Sequence, residues 1–167
     1  MATRININGK INTEAFISVF DHGFLFGDSV YEVINTRNNL PCFLDEHLNR
    51  LYMSAKGIEL NIPFDDEWFR KQIGCTLVEA ANQESYIRIV VTRGVGDIDI
   101  DPSSCHSPCV LIFVTSARIY PFELYENGIN LAVVNIKRNS KDSLSPEIKT
   151  GNYLNNVLAK IESDRHG

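Results

Sequence analysis

Cys109-Val-Leu-Ile-Phe-Val-Thr115 is apolar on both of the faces that a strand would present. A half-buried strand alternates polar and apolar side chains, whereas one covered on both sides does not. This run therefore reads as the central strand of a sheet. Tyr86-Ile-Arg-Ile-Val-Val-Thr92 reads as a second strand. Ser29-Val-Tyr-Glu-Val-Ile-Asn-Thr36 is equally β-rich and meets a turn at Asn38-Asn39. Arg4-Ile-Asn-Ile-Asn8 alternates cleanly up to a turn at Gly9-Lys10.

Between these strands the period changes to 3.6. Leu44, Leu48, Leu51, Tyr52 and Ala55 make one helical face, which Gly57 ends. A second helix is expected from Asp65-Asp66, whose carboxylates can cap it and meet the positive end of its dipole. It buries Phe69, Ile73, Leu77 and Ala80 and ends near Asn82. Strands and helices together imply a mixed α/β domain over residues 1–118, then a linker over 119–128 that includes the turn Glu126-Asn127-Gly128. Residues 129–167 hold the strand-like Asn130-Leu-Ala-Val-Val-Asn-Ile136 and a helix with Leu154, Val157, Leu158 and Ile161 on one face, capped by Asn152. One strand and one helix cannot close a second core, so this second unit reads as incomplete.

Composition bounds the chemistry. Hydrophobic residues make up 44% of the 167 and charged residues 22%, which excludes a disordered acidic tail or a collagen-like fibre. The longest apolar run is far below the ~20 residues of a membrane helix. Nor does the start of the chain resemble a signal peptide, so a cytoplasmic location is expected. Sixteen Lys and Arg against twenty-one Asp and Glu give a net charge of -5, which argues against non-specific nucleic-acid binding. A small anion held by one or two local arginines remains compatible. Four cysteines are too sparse for a disulfide scaffold, and Cys42 and Cys75 are expected as small core residues.

Several motifs weaken on inspection. Asp97-Ile-Asp-Ile-Asp101 superficially suggests a calcium loop, yet Pro102 follows where that loop needs glycine. It reads as a solvated acidic loop. Gly94-Val-Gly96 has Asp99 in place of the third glycine of a dinucleotide fingerprint. Cys105-His-Ser-Pro-Cys109 lacks the second ligand pair of a structural zinc site, so no metal is expected.

A distributed set is more informative. Asp21-His-Gly-Phe-Leu-Phe-Gly-Asp28 is expected as a loop before a strand, and His47-Leu-Asn-Arg50 lies on the first helix. Glu147-Ile-Lys149 precedes a helix opened by Gly151-Asn152. A helix N-terminus disfavours a protonated amine, which suits an amine nucleophile, although a surface lysine is the simpler reading.

Asp21–Glu32, Glu46-His-Leu-Asn-Arg-Leu51, Tyr86-Ile-Arg88 with Thr92-Arg-Gly94, and Ile148-Lys-Thr-Gly-Asn-Tyr-Leu-Asn-Asn-Val-Leu158 occur in that order. Together they resemble the fold-type-IV, class IV aminotransferases, which include branched-chain and D-amino-acid aminotransferases and aminodeoxychorismate lyase. The resemblance implies a two-layer α/β N-terminal domain, the first strand and helix of a barrel-like C-terminal domain, and a homodimer. It implies pyridoxal 5'-phosphate as cofactor, with Lys149 as the lysine that forms its imine. Arg50 then matches the arginine that binds the cofactor phosphate, and Tyr153 the tyrosine near its phenolic oxygen. Tyr31 matches a substrate-pocket position.

Members of that family run to nearly twice this length. Their C-terminal half carries a Glu that binds the pyridine nitrogen and loops that bind phosphate, so the 167-residue chain alone is expected to be inactive. The D-amino-acid enzymes use an Arg-x-His trap where this chain has Asp97–Asp101. Tyr86-Ile-Arg88 instead resembles the branched-chain group, where the Arg meets an acidic substrate's distal carboxylate. The expected reaction is amino transfer between an L-branched-chain or L-glutamate-type amino acid and a 2-oxo acid. The rivals are an aminodeoxychorismate lyase of the same fold and a non-catalytic dimerising fragment.

Overall fold

The computed structural model describes residues 2–165. Its sheet comprises β1 (Arg4–Ile7), β2 (Lys10–Asn12), β3 (Ser29–Arg37), β4 (Leu40–Pro41), β5 (Ser85–Thr92) and β6 (Cys109–Ser116). The order is β2-β1-β6-β5-β3-β4, antiparallel throughout. The stretch 109–115 is thus a central strand, paired with β1 on one side and β5 on the other. Val110, Ile112 and Val114 are buried on one of its faces, and on the other Leu111 is buried while Cys109 and Phe113 are half-buried.

Helices α2 (Leu44–Gly57) and α3 (Asp66–Ala80) cover one face. Leu48, Leu51 and Ala55 of α2 and Phe69 and Ile73 of α3 share a core with Val30, Ile34, Ile87, Ile89, Val91, Val110, Ile112 and Val114. The period of two assigns the intervening strand residues, including Tyr31, Val33, Arg88 and Phe113, to the opposite face. Asp65 caps α3 as expected, accepting from the Trp68 N–H at 2.9 Å. Asp21–Asp28 is not a plain loop. It holds the short helix α1 (His22–Phe26), capped by Asp21 and ended by Gly27 at φ 70°. Cys75 is exposed and Cys42 only partly buried, against expectation. The face of α3 turned to the sheet carries Phe69, Ile73, Thr76 and Ala80, and residue 75 points elsewhere on the helix.

The chain divides into two compact units. One runs to Ala117 and includes Ile148–Gly151; the other is Arg118–Glu147 with the residues from Asn152 onward. The second unit contains α4 (Glu123–Asn127) and α5 (Leu154–Arg165). The strand expected over Asn130–Ile136 does not form among the described residues. A strand is made by pairing with another strand, whereas here the Asn135 and Ile136 N–H groups donate to the Glu162 carboxylate of α5 at 2.9 and 3.3 Å. Leu154, Val157, Leu158 and Ile161 of α5 stay exposed. Among the described residues no helix is long and apolar enough to cross a membrane.

Candidate active site

Lys149 owes its place to its backbone. β4 pairs with β3 only at Thr36 and Arg37, which leaves the other half of that edge for another segment. Ile148–Gly151 takes it. The Tyr31 N–H donates to the Lys149 carbonyl at 3.0 Å, the Gly151 N–H donates to the Ser29 carbonyl at 2.8 Å, and Val30 bridges Thr150. From the other side α2 closes in. The Lys149 N–H donates to Ser54 Oγ at 3.2 Å. Ile148 packs on Gly57, where a Cβ would stand 2.7 Å from Ile148 Cδ1. A Cβ at position 57 would force the end of the Ile148 side chain aside.

Held in this way, the Lys149 ammonium lies 4.0 Å from the centroid of the Tyr31 ring. The Arg88 guanidinium lies over the same ring at 4.2 Å. Register explains the meeting. Arg88 pairs with Val33, and Tyr31 is two residues earlier on the same face of β3. Diagonal neighbours at that spacing are within reach of long side chains. Tyr31 is 5% exposed, so two cations meet its ring at a desolvated site, where such contacts are strongest.

Glu32, the next residue, projects from the other face of β3 toward α2. Its side chain is fully buried and accepts Arg50 Nε at 2.5 Å and Arg50 Nη2 at 2.7 Å. His47 Nδ1 lies 2.8 Å from Glu32 Oε2. A carboxylate can only accept, so this ring nitrogen carries the proton. Burial pushes the Glu32 carboxyl up, but the bonds from Arg50 and His47 outweigh it and hold it below the usual carboxylate range. Arg50 and Ser54 are one turn apart on α2, so a single helix carries the guanidinium and the seat of the lysine segment.

Two of the motifs singled out in the sequence brace this arrangement. Arg93 donates to both Asp28 oxygens at 2.8 and 3.0 Å and to the carbonyls of Ile58 and Glu59, each at 2.7 Å. It thereby ties the start of β3 to the end of α2. Asp21 accepts from the Gly23 N–H at 2.7 Å and from Thr92 Oγ1 at 2.8 Å. In the acidic run, Asp101 accepts from the Ser103 N–H at 2.9 Å, a backbone bond that keeps its carboxyl low.

The structure therefore brings Lys149, Tyr31 and Arg88 onto one ring. It sets Arg50 on the other side of the same strand, paired with Glu32. Tyr153 belongs to the second unit, directly before α5, and its carbonyl accepts the Val157 N–H at 3.0 Å. Sequence reasoning assigned no role at the site to Glu32, His47, Ser54 or Gly57. An acid inside an apolar strand, with His47 and Arg50 three apart on a helix, was the available signal for the first two. A cleft of about 410 Å³ lined by Phe16, Ile17, Asp21, Gly94 and His106 contains none of the expected site residues. Tyr31 and Arg88 occupy the sheet face that α2 and α3 leave uncovered. A primary amine against an aromatic ring and a guanidinium locked by a buried carboxylate are donors suited to a ligand with a carbonyl and a phosphate.

The model of the amino-transferase class IV family matches residues 29–167. A Methanocaldococcus jannaschii protein, provisionally named a branched-chain-amino-acid aminotransferase, is 42% identical over 98% of the chain and 57% of its own length. D-alanine aminotransferase of Staphylococcus haemolyticus is 34% identical over 95% of the chain and 55% of its own length. Among solved structures, the branched-chain aminotransferase of the archaeon Thermoproteus uzoniensis with norvaline is similar with a TM-score of 0.88 at 26% identity. That match covers 98% of this chain and 57% of the other. The chain thus spans little more than half the length of the relatives it matches.

Proposed function

The chain belongs to the class IV aminotransferase family, and from that premise we propose that the complete protein transfers an amino group between an L-amino acid and a 2-oxo acid. Class IV aminotransferases use pyridoxal 5'-phosphate. When bound, that cofactor accepts the amino group and draws the negative charge at the substrate Cα into its ring. The donor set fits it. Lys149 is the amine that would hold the carbonyl carbon, and Arg50 the fork that would take phosphate oxygens. Tyr153, on the segment after Lys149, is assigned to the cofactor's phenolic oxygen.

The observation that carries this reading is the seat of Lys149. Its backbone is fixed by β3 and α2 while its amine lies against an aromatic ring. With the cofactor bound, the amine of Lys149 would be the base that takes the proton from the substrate Cα. The ring of Tyr31 limits where that amine can swing. Arg88 would meet the second carboxylate of an acidic substrate, which favours L-glutamate as one donor.

Residues 129–167 are proposed as the start of the cofactor-binding domain, and the active molecule as a homodimer. The test is a donor panel on the full-length protein loaded with cofactor. L-glutamate and L-branched-chain amino acids should transfer their amino group to a 2-oxo acid with higher kcat/KM than D-alanine does. Faster transfer from D-alanine, or lyase turnover of aminodeoxychorismate without transfer, would overturn the assignment.

A further inference from the structure

We propose that Glu32 is the positioning residue of the phosphate grip: its buried carboxylate sets the plane of the Arg50 guanidinium, and His47 fixes the carboxylate. The inference rests on the proposed role of Arg50. An exposed arginine samples many rotamers, and ordering such a side chain costs conformational entropy. Here 52% of the Arg50 side chain is exposed, yet both Nε and Nη2 are held on a carboxylate with no exposure at all. The side-on pairing leaves one orientation for the fork. His47 Nδ1 at 2.8 Å from Oε2 prevents the carboxylate from turning about its own bond.

Structural support alone is a weak reason for this arrangement. A buried ion pair is often no more stabilising than apolar residues of the same size. Val30 and Ile34, two residues to either side on the same face, show that such residues fit this layer. What a buried carboxylate adds is direction. A preoriented fork loses less freedom when it closes on a phosphate.

The experiment measures equilibrium affinity of the full-length apoprotein for pyridoxal 5'-phosphate and for pyridoxal, which lacks the phosphate. Four proteins are compared: parent, Glu32→Gln, Arg50→Ala and the double variant. Arg50→Ala should weaken pyridoxal 5'-phosphate binding by about ten- to a hundredfold, as for lost hydrogen bonds to a charged group. Glu32→Gln should lose a large part of the same factor, and the double variant should be no weaker than Arg50→Ala alone. Affinity for pyridoxal should hardly change in any of them. Purely additive losses, equal losses for pyridoxal, or full affinity in Glu32→Gln would overturn the positioning role. No loss in Arg50→Ala would overturn the phosphate assignment itself, and the positioning role with it. Should Glu32→Gln not fold, His47→Ala, which removes the second bond to the carboxylate, carries the same comparison.

Discussion

The Lys149 ammonium and the Arg88 guanidinium share one aromatic ring, that of Tyr31, at 4.0 and 4.2 Å. A ring face attracts a cation, and more so when water is excluded. Tyr31 therefore links the proposed reactive amine to the proposed substrate anchor. Replacing Tyr31 by Phe keeps both contacts and should leave kcat/KM within a few-fold of the parent. Replacing it by Ala removes both, each contact being worth ~0.5–2 kcal/mol, and should cost about tenfold or more. Equal activities of the two variants, both folded by circular dichroism, would show that the ring does not hold the amine.

Gly57 leaves room for the Ile148 side chain, next to Lys149. A Cβ there would stand 2.7 Å from Ile148 Cδ1, and overpacking of this kind costs ~1–3 kcal/mol. Gly57→Ala should lower cofactor occupancy while helix content is retained. Adding Ile148→Val makes room and should restore occupancy. Loss without rescue would mean that Gly57 acts through something other than Ile148.

Glu32 makes stability depend on acidity. Its folded carboxyl titrates below the ordinary 4.5. The stabilisation is therefore fully present above that value and is lost as pH falls through the folded pKa. Thermal melting of the parent should drop on acidification below about pH 4.5 more steeply than that of Glu32→Gln. Parallel acid limbs would contradict the buried pairing with Arg50 and His47.

Tyr52 offers an independent check on how α2 and α3 pack. Burial first, then the charges of Asp66 and Asp65, push its phenol up to about 12, and its hydroxyl donates to the Phe64 carbonyl at 2.9 Å. The folded state therefore favours the protonated phenol, a stabilisation lost as pH rises past the ordinary value of 10.0 toward that raised pKa. Ultraviolet titration should reveal one tyrosine that ionises last and is absent in Tyr52→Phe. Ionisation of Tyr52 together with the exposed tyrosines would show that this seam is open to water.

Much of this architecture was legible because burial writes itself into periodicity. The unbroken apolar run of β6 marked a central strand, and Asp65 marked the start of α3. Strands β2 and β4 were not legible, since each is a short edge piece whose existence depends on its neighbour rather than on its own residues. Asn130–Ile136 failed in the opposite way: it has the composition of a strand, but it pairs with no strand among the described residues and Glu162 takes two of its N–H groups. At the site, the motifs singled out Lys149 and Arg50 as candidates, but the lysine segment rests on Ser54 and against Gly57, more than ninety residues earlier in the chain. No local pattern announces such a contact. The same holds for the pairing of Glu32 with Arg50, which joins a strand to a helix through the tertiary fold.

The central claim is that Lys149 is the amine that holds the cofactor. Borohydride reduction of the full-length protein loaded with pyridoxal 5'-phosphate, followed by peptide mapping, tests it directly. The account predicts a single phosphopyridoxyl group on Lys149, in the peptide containing Ile148-Lys149-Thr150-Gly151. A label on any other lysine, or a fully loaded protein in which Lys149 stays unmodified, would contradict it.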